Sequence, residues 1–311
     1  MTFASVPGSI NSRTLAAWGH LMTASRYLLA ATTGLALLAT ASNAHATAYA
    51  YGNINFTNLS LSGLQASGVT INSANIQTRD SAGYPGAAAA SNAAPAANQA
   101  NPLAGGSDVA QATSGPGPFP GENNYGQALL NSFGTRGDAQ LVGNLLTGVG
   151  TGANDVAEGR IATPGTASST AGTSTGFNVV VTTTGTQTFT LAFNASDSVI
   201  ATTTNPGEFA SAQVNASFTV SGAGFTTQVF SPDALNTSTT STGGTGNGSI
   251  TNASAPYSFS VTLNPGTYQF SLLSGAQEQV QATAAAVPEP ASMALLGAGL
   301  AAIGLMRRRW A

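Results

Sequence analysis

Between residues 177 and 272 apolar side chains recur at every second position, and this period constrains the fold more than any other feature of the chain. The runs are Phe177, Val179 and Val181; Phe189, Leu191 and Phe193; Phe218 and Val220; Tyr257, Phe259, Val261 and Leu263; and Tyr268, Phe270 and Leu272. A strand turns successive side chains to opposite faces, so each run lays its apolar residues on one side of a sheet. Five or more such strands predict a mainly β chain, with an antiparallel β-sandwich or jelly-roll-like domain over residues 175–286. Between Leu263 and Tyr268 the sequence Asn-Pro-Gly-Thr predicts a tight hairpin, with Pro265 presetting φ and Gly266 taking a positive φ. Residues 237–249, rich in Ser, Thr and Gly, read as a long exposed loop.

Upstream the pattern is weaker. Residues 47–79 read as short strands, with Ile54 and Phe56 alternating with Asn, Leu59 and Leu61 with Ser, and Val69 and Ile71 with Thr and Asn; Gly63 and Gly68 mark turns. Residues 80–174 read as a low-complexity linker. Its first forty residues are dominated by Ala, Ser, Pro and Gly and carry too little apolar mass to fold alone. Leu129, Leu130, Phe133, Leu141, Leu145, Leu146 and Val149 recur at roughly helical spacing and predict a weak helix, against which glycines 134, 137, 143 and 148 argue.

The first 46 residues have the parts of a secretory signal peptide. Arg26 precedes an apolar run over residues 27–41, and Ala44-His45-Ala46 places small residues at the two positions a signal peptidase requires, so cleavage is expected before Thr47. Met22 is a second candidate start, because residues 22–26 make an ordinary short, charged leader.

What remains after that cleavage excludes most chemistry. The chain has no Cys and no Lys, and both its histidines, His20 and His45, precede Thr47. A Ser-His-Asp triad, a Cys-His dyad, a Schiff-base lysine and a His-containing zinc site are all excluded from the exported part, and no cofactor is expected. Between Thr47 and Pro288, three arginines (79, 136 and 160) stand against ten acids, a formal charge of −7 that excludes nucleic acid as a partner. Asp155 and Glu158 could serve as a hydrolytic carboxylate pair if a helix put both on one face, though two solvated acids in a glycine-rich loop is the plainer reading. The Arg136-Gly137-Asp138 tripeptide resembles a cell-attachment sequence, and chance accounts for it. Spacing for a calcium loop is absent. A sugar-binding surface would have to use Tyr, Asn and Asp, since neither Trp18 nor Trp310 falls in the exported body.

The chain closes on Val287-Pro288-Glu289-Pro290, sixteen uncharged residues at 291–306, and Arg307, Arg308 and Arg309. As a transmembrane helix the uncharged run is about 24 Å long, marginal against a hydrocarbon core of about 30 Å. The arginines would hold its end in the cytoplasm, leaving everything upstream outside. Pro288 and Pro290 keep the backbone around Glu289 extended, a form that a processing enzyme can grip.

Residues 287–311 resemble the PEP-CTERM sorting signal in position and order of parts. The resemblance implies a substrate of an exosortase-type membrane enzyme in Gram-negative bacteria that make exopolysaccharide. Such a protein is cleaved near the Pro-Glu-Pro element, after transient anchoring in the inner membrane, and then released or held at the cell surface. The expected function is that of a non-enzymatic secreted or cell-surface protein, a structural component of envelope, exopolysaccharide matrix or biofilm. The alternative is a carbohydrate-binding module that engages exopolysaccharide. Expected partners are signal peptidase, the exosortase-type enzyme and exopolysaccharide.

Overall fold

In a computed structural model, residues 47–94, 107–117, 119–122, 124–125, 134–148, 150–161, 167–283 and Gly299 are described. The chain forms β1 (Ala48–Ser62), β2 (Val69–Gly83), β3 (Ala90–Ala94), β4 (Ser107–Asp108), β5 (Ala112–Ser114), β6 (Gly134–Val142) and β7 (Gly152–Ile161). There follow β8 (Ala167–Thr183), β9 (Gln187–Thr202), β10 (Glu208–Gly222), β11 (Phe225–Phe230), a 3-10 turn at Asp233–Leu235, β12 (Ser238–Thr242), β13 (Gly248–Leu263) and β14 (Gly266–Ala282). They make two seven-stranded sheets, every pairing antiparallel. One runs β13-β9-β1-β7-β6-β4 with β5 also on β6; the other runs β11-β10-β14-β8-β2-β3 with β12 also on β10. The sheets pack face to face, β7 against β8 and β14, and β1 against β10 and β14.

Two local irregularities keep the apolar set inward. In β1 the inward residues change parity, from Ile54 and Phe56 to Leu59 and Leu61, and the register shifts between Thr57 and Ser60 where Asn58 takes φ 55°. The extra residue of a bulge restores the facing that a one-residue slip would reverse. β2 does the same between Ile71 and Ser73, which brings Ala74 and Ile76 inward.

The core is graded along every long strand. β9 places Phe189, Leu191 and Phe193 inside at one end and Ala195, Val199 and Ala201 toward the other; β10 runs from Ala210 and Ala212 to Phe218 and Val220. Antiparallel pairing collects all the large ends together. There the rings pack, Phe189 against Phe270 at 4.9 Å and Phe56 against Phe193 at 5.2 Å between centroids. Each buried ring contributes about 1.5–3 kcal/mol of transfer free energy. At the opposite end small side chains let the sheets close in: a Cβ on Gly52 would lie 3.1 Å from the Gln213 carbonyl oxygen across the interface.

The structure corrects four expectations. The linker and weak helix expected in 80–174 contain the paired strands β6 and β7 and the start of β8, so one sandwich extends from residue 47 to 283. In the described part of the leucine spacing no helix forms, because Gly143, at φ 86°, turns the chain after Leu141, leaving Leu141 on a strand and Leu145 in the following turn; Leu129, Leu130, Phe133 and Val149 lie outside the described residues. The Asn264-Pro265 connection does not join paired neighbours: it carries the chain from β13 in one sheet to β14 in the other, and Gly266 is not in the positive-φ region. The supposed loop at 237–249 contains β12, whose Thr-rich backbone pairs with Phe209–Gln213 of β10 before glycines 243, 244 and 246 turn the chain. Among the described residues no helix is long and apolar enough to cross a membrane, and of the expected helix at 291–306 all but Gly299 lie outside them.

Candidate functional site

The narrow end of the sandwich carries the chain's buried acids. On β7, Asp155 points between the sheets and accepts hydrogen bonds from Thr175 Oγ1 at 2.9 Å and Ser274 Oγ at 2.5 Å. Burial pushes its carboxyl up to about 6, against those hydrogen bonds. Glu278 of β14 enters the same space and accepts from Thr135 Oγ1 at 2.5 Å. Burial raises its carboxyl to about 8, the Thr135 hydroxyl opposing and the Glu158 charge adding. Room for the Glu278 carboxyl exists because residue 159 is glycine: a Cβ there would collide with both of its oxygens.

On the outer face of the sheet that holds β6 and β7 lies a second group. Arg136 of β6 and Glu158 of β7 are register partners, joined by Nε to Oε2 at 2.7 Å and Nη2 to Oε2 at 2.5 Å. Tyr49 Oη donates to Glu158 Oε1 at 2.6 Å, and the Tyr125 ring lies 4.4 Å from the guanidinium carbon. Tyr125 Oη in turn donates to Asp138 Oδ2 at 2.8 Å. Burial raises the Tyr49, Tyr125 and Asp138 ionisations, most strongly those of the two phenols beside carboxylates. These contacts pin down a covering segment, the described residues between 107 and 125, together with Asp80 accepting from Ala112 N at 2.9 Å and Glu122 accepting from Gln111 N at 3.0 Å. Charged groups under cover thus order a stretch that composition alone would leave loose.

Asp155 and Glu158 lie on a strand, three residues apart, and so face opposite sides of the sheet; the hydrolytic pair that a helix would have made is not formed. Arg136 and Asp138 are buried, and Arg136-Gly137-Asp138 presents no attachment loop. Among the described residues no group of three or more His, Cys, Asp or Glu side chains is placed to hold a metal ion. An open groove of about 310 Å³ runs beside Tyr257, whose ring stacks on Phe193 at 5.4 Å, and Asn58 and Asn194 line it with amides.

The two ends of the sandwich meet at one turn, Asn205-Pro206-Gly207-Glu208. Thr47 N donates to Glu208 Oε1 at 2.9 Å, while Thr283 N and Oγ1 donate to the Gly207 carbonyl at 3.1 and 2.8 Å. Gly207 has φ 84°, and a Cβ there would collide with Thr283 Oγ1, so glycine is needed on both grounds. Sequence reasoning missed Glu208; its one signal was an acid closing a Pro-Gly turn. The expected signal-peptidase residues Ala44 and Ala46, the sorting residues Val287, Pro288, Glu289 and Pro290, and the arginines 307, 308 and 309 lie outside the described residues.

Residues 286–309 match the family described as the PEP-CTERM protein-sorting motif. The chain carries this motif, which implies processing by an exosortase-type membrane enzyme and sorting toward the cell surface. No curated protein and no solved structure matches the chain.

Proposed function

From the sorting motif at residues 286–309 we propose that this protein is a non-enzymatic cell-surface or extracellular component, a β-sandwich delivered to envelope, exopolysaccharide matrix or biofilm by its C-terminal signal. Signal peptidase removes residues 1–46 during export. The last 25 residues then anchor the protein in the inner membrane, with Arg307, Arg308 and Arg309 on the cytoplasmic side, until the exosortase-type enzyme cuts near Pro288-Glu289-Pro290. The motif carries this reading. The meeting of Thr47 and Thr283 at one turn supports it, because tethers leaving one end of a rigid body can reach the same membrane together. The buried acids support it too, since none of those described above is open to a substrate.

Deleting residues 286–311 in the native host tests the proposal. Export should persist while surface retention and membrane-dependent processing are lost, as followed by fractionation and intact mass. Unchanged localisation and mass would overturn it.

A second reading, a carbohydrate-binding module for exopolysaccharide, is favoured by the groove beside Tyr257, which combines a half-buried aromatic ring with the amides of Asn58 and Asn194. Binding to exopolysaccharide from the host, lost in Tyr257→Ala with the fold intact, would establish it; no binding by the wild-type protein would remove it.

A further inference from the structure

We propose that Glu208 is a docking site for a primary ammonium, namely the amino terminus created when export cleaves the chain before Thr47, and that this cleavage completes the fold. The inference rests on the cleavage position read from Ala44-His45-Ala46. β1, a central strand between β7 and β9, begins at Ala48, so the expected cut falls one residue outside the sheet.

Glu208 is 3% exposed and opens β10 in the opposite sheet. Its Oε2 accepts from Thr204 N at 2.6 Å and Asn205 N at 3.0 Å; its Oε1 accepts from Asn205 Nδ2 at 3.0 Å and Thr47 N at 2.9 Å. The same Thr47 nitrogen lies 3.2 Å from Thr204 Oγ1. Among the described residues no ion pair within 4.0 Å involves Glu208, so its hydrogen-bond partners there are all neutral while Thr47 is inside a longer chain. These neutral donors satisfy the carboxylate oxygens but leave its charge without a counter-charge, and a cation delivered to Oε1 turns a neutral contact into a charge-assisted one, roughly twice as strong.

Cleavage supplies that cation in place. A peptide nitrogen has one hydrogen to share between Glu208 Oε1 and Thr204 Oγ1, whereas an ammonium has three and a full charge. The pairing bridges the two sheets at their narrow end. It also bears on the C terminus, because the turn that positions Glu208 accepts both hydrogen bonds from Thr283. Export would therefore lock the sandwich at the end from which the sorting motif leaves.

The absence of lysine makes the test clean, for the α-amine is then the chain's sole primary amine. The full chain, exported to the periplasm of a Gram-negative host, is purified, its first residue confirmed by intact mass, and its amine titrated with an acetylating ester. The wild-type amine should react about tenfold more slowly than that of Glu208→Gln, a difference of about one pKa unit. Acetylated wild-type protein should melt about 2–4 °C lower, and acetylation should not lower the melting temperature of Glu208→Gln further. Equal reaction rates, or acetylation without effect on the wild-type melting temperature, would overturn the proposal; the second readout stands even where Glu208→Gln fails to fold. A first residue other than Thr47 would overturn it as well, through the cleavage position and not through the contact.

Discussion

Arg136 and Glu158 stand directly opposite each other on β6 and β7 with no solvent exposure, and the guanidinium Nε donates to Glu158 Oε2 at 2.7 Å. The pair lies beneath Tyr125 and next to Tyr49, so its charges hold a covering segment against the sheet and do not meet solvent. Its desolvation cost is offset by attraction and by the hydrogen bonds that surround it, which makes the two residues dependent on each other.

Removing one partner should therefore cost more than removing both. Arg136→Met removes the guanidinium that faces the buried Glu158 carboxylate and should destabilise the protein by about 3–5 kcal/mol, whereas adding Glu158→Leu should restore much of that loss. Urea midpoints at constant m value measure both. A single substitution as mild as an exposed pair, below about 1 kcal/mol, would refute the assignment.

The buried acids set the pH dependence. Glu278 is raised from 4.5 to about 8 and Asp155 from 3.8 to about 6, so in the folded state both hold protons that the unfolded chain has already lost. Stability from these groups is complete below pH about 4, declines as pH rises, and is lost once pH passes about 8. The melting temperature should fall steadily from pH 4 to pH 8. Glu278→Gln should flatten the upper part of that fall, between about pH 6 and 8, and leave the Asp155 portion below it; an unchanged profile would contradict the burial of Glu278.

Gly159 and Glu278 should couple across the interface. Gly159→Ala pushes a methyl group into the Glu278 carboxyl and should cost about 1–3 kcal/mol. In a Glu278→Ala background the same substitution should cost clearly less, because the obstructing group is gone. Equal costs in the two backgrounds, measured by chemical denaturation, would place the carboxyl elsewhere.

The graded core explains what the sequence disclosed and what it hid. Strands are plain wherever Phe, Val and Leu point inward, as in Phe189, Leu191 and Phe193. At the narrow end the inward positions of β7 are Ala153, Asp155, Ala157, Gly159 and Ile161, and those of β6 include Thr135, Gly137 and Ala139. Such residues alternate with Asn, Arg and Gln without a hydrophobic signal, so the period is invisible although the pairing is complete. The parity change from Phe56 to Leu59 was legible as two short runs, and only the register shows that a bulge joins them into one strand. The sorting motif was readable because its parts are contiguous. Glu208 was not, because its contacts with residues 204 and 205 read as an ordinary turn, and the contact that gives it meaning, with Thr47, joins distant segments and leaves no local mark.

The scarcity of basic residues turns trypsin into a probe of the fold. Between Thr47 and Pro288 cleavage can occur only after Arg79, Arg136 and Arg160. All three lie within paired strands, and Arg136 is wholly buried, so cutting requires the strands to open. Native protein should be cut after Arg136 at least about a hundredfold more slowly than protein in urea, and Arg136→Lys should shorten that protection by weakening the pair with Glu158. In urea the large fragment should begin at Ile161 and, while the C terminus is retained, end at Arg307; gel electrophoresis with intact mass identifies it. Native cleavage after Arg136 as fast as in urea would show that β6 is not held in the sheet, and with it would fall the buried pair on which the covering segment depends.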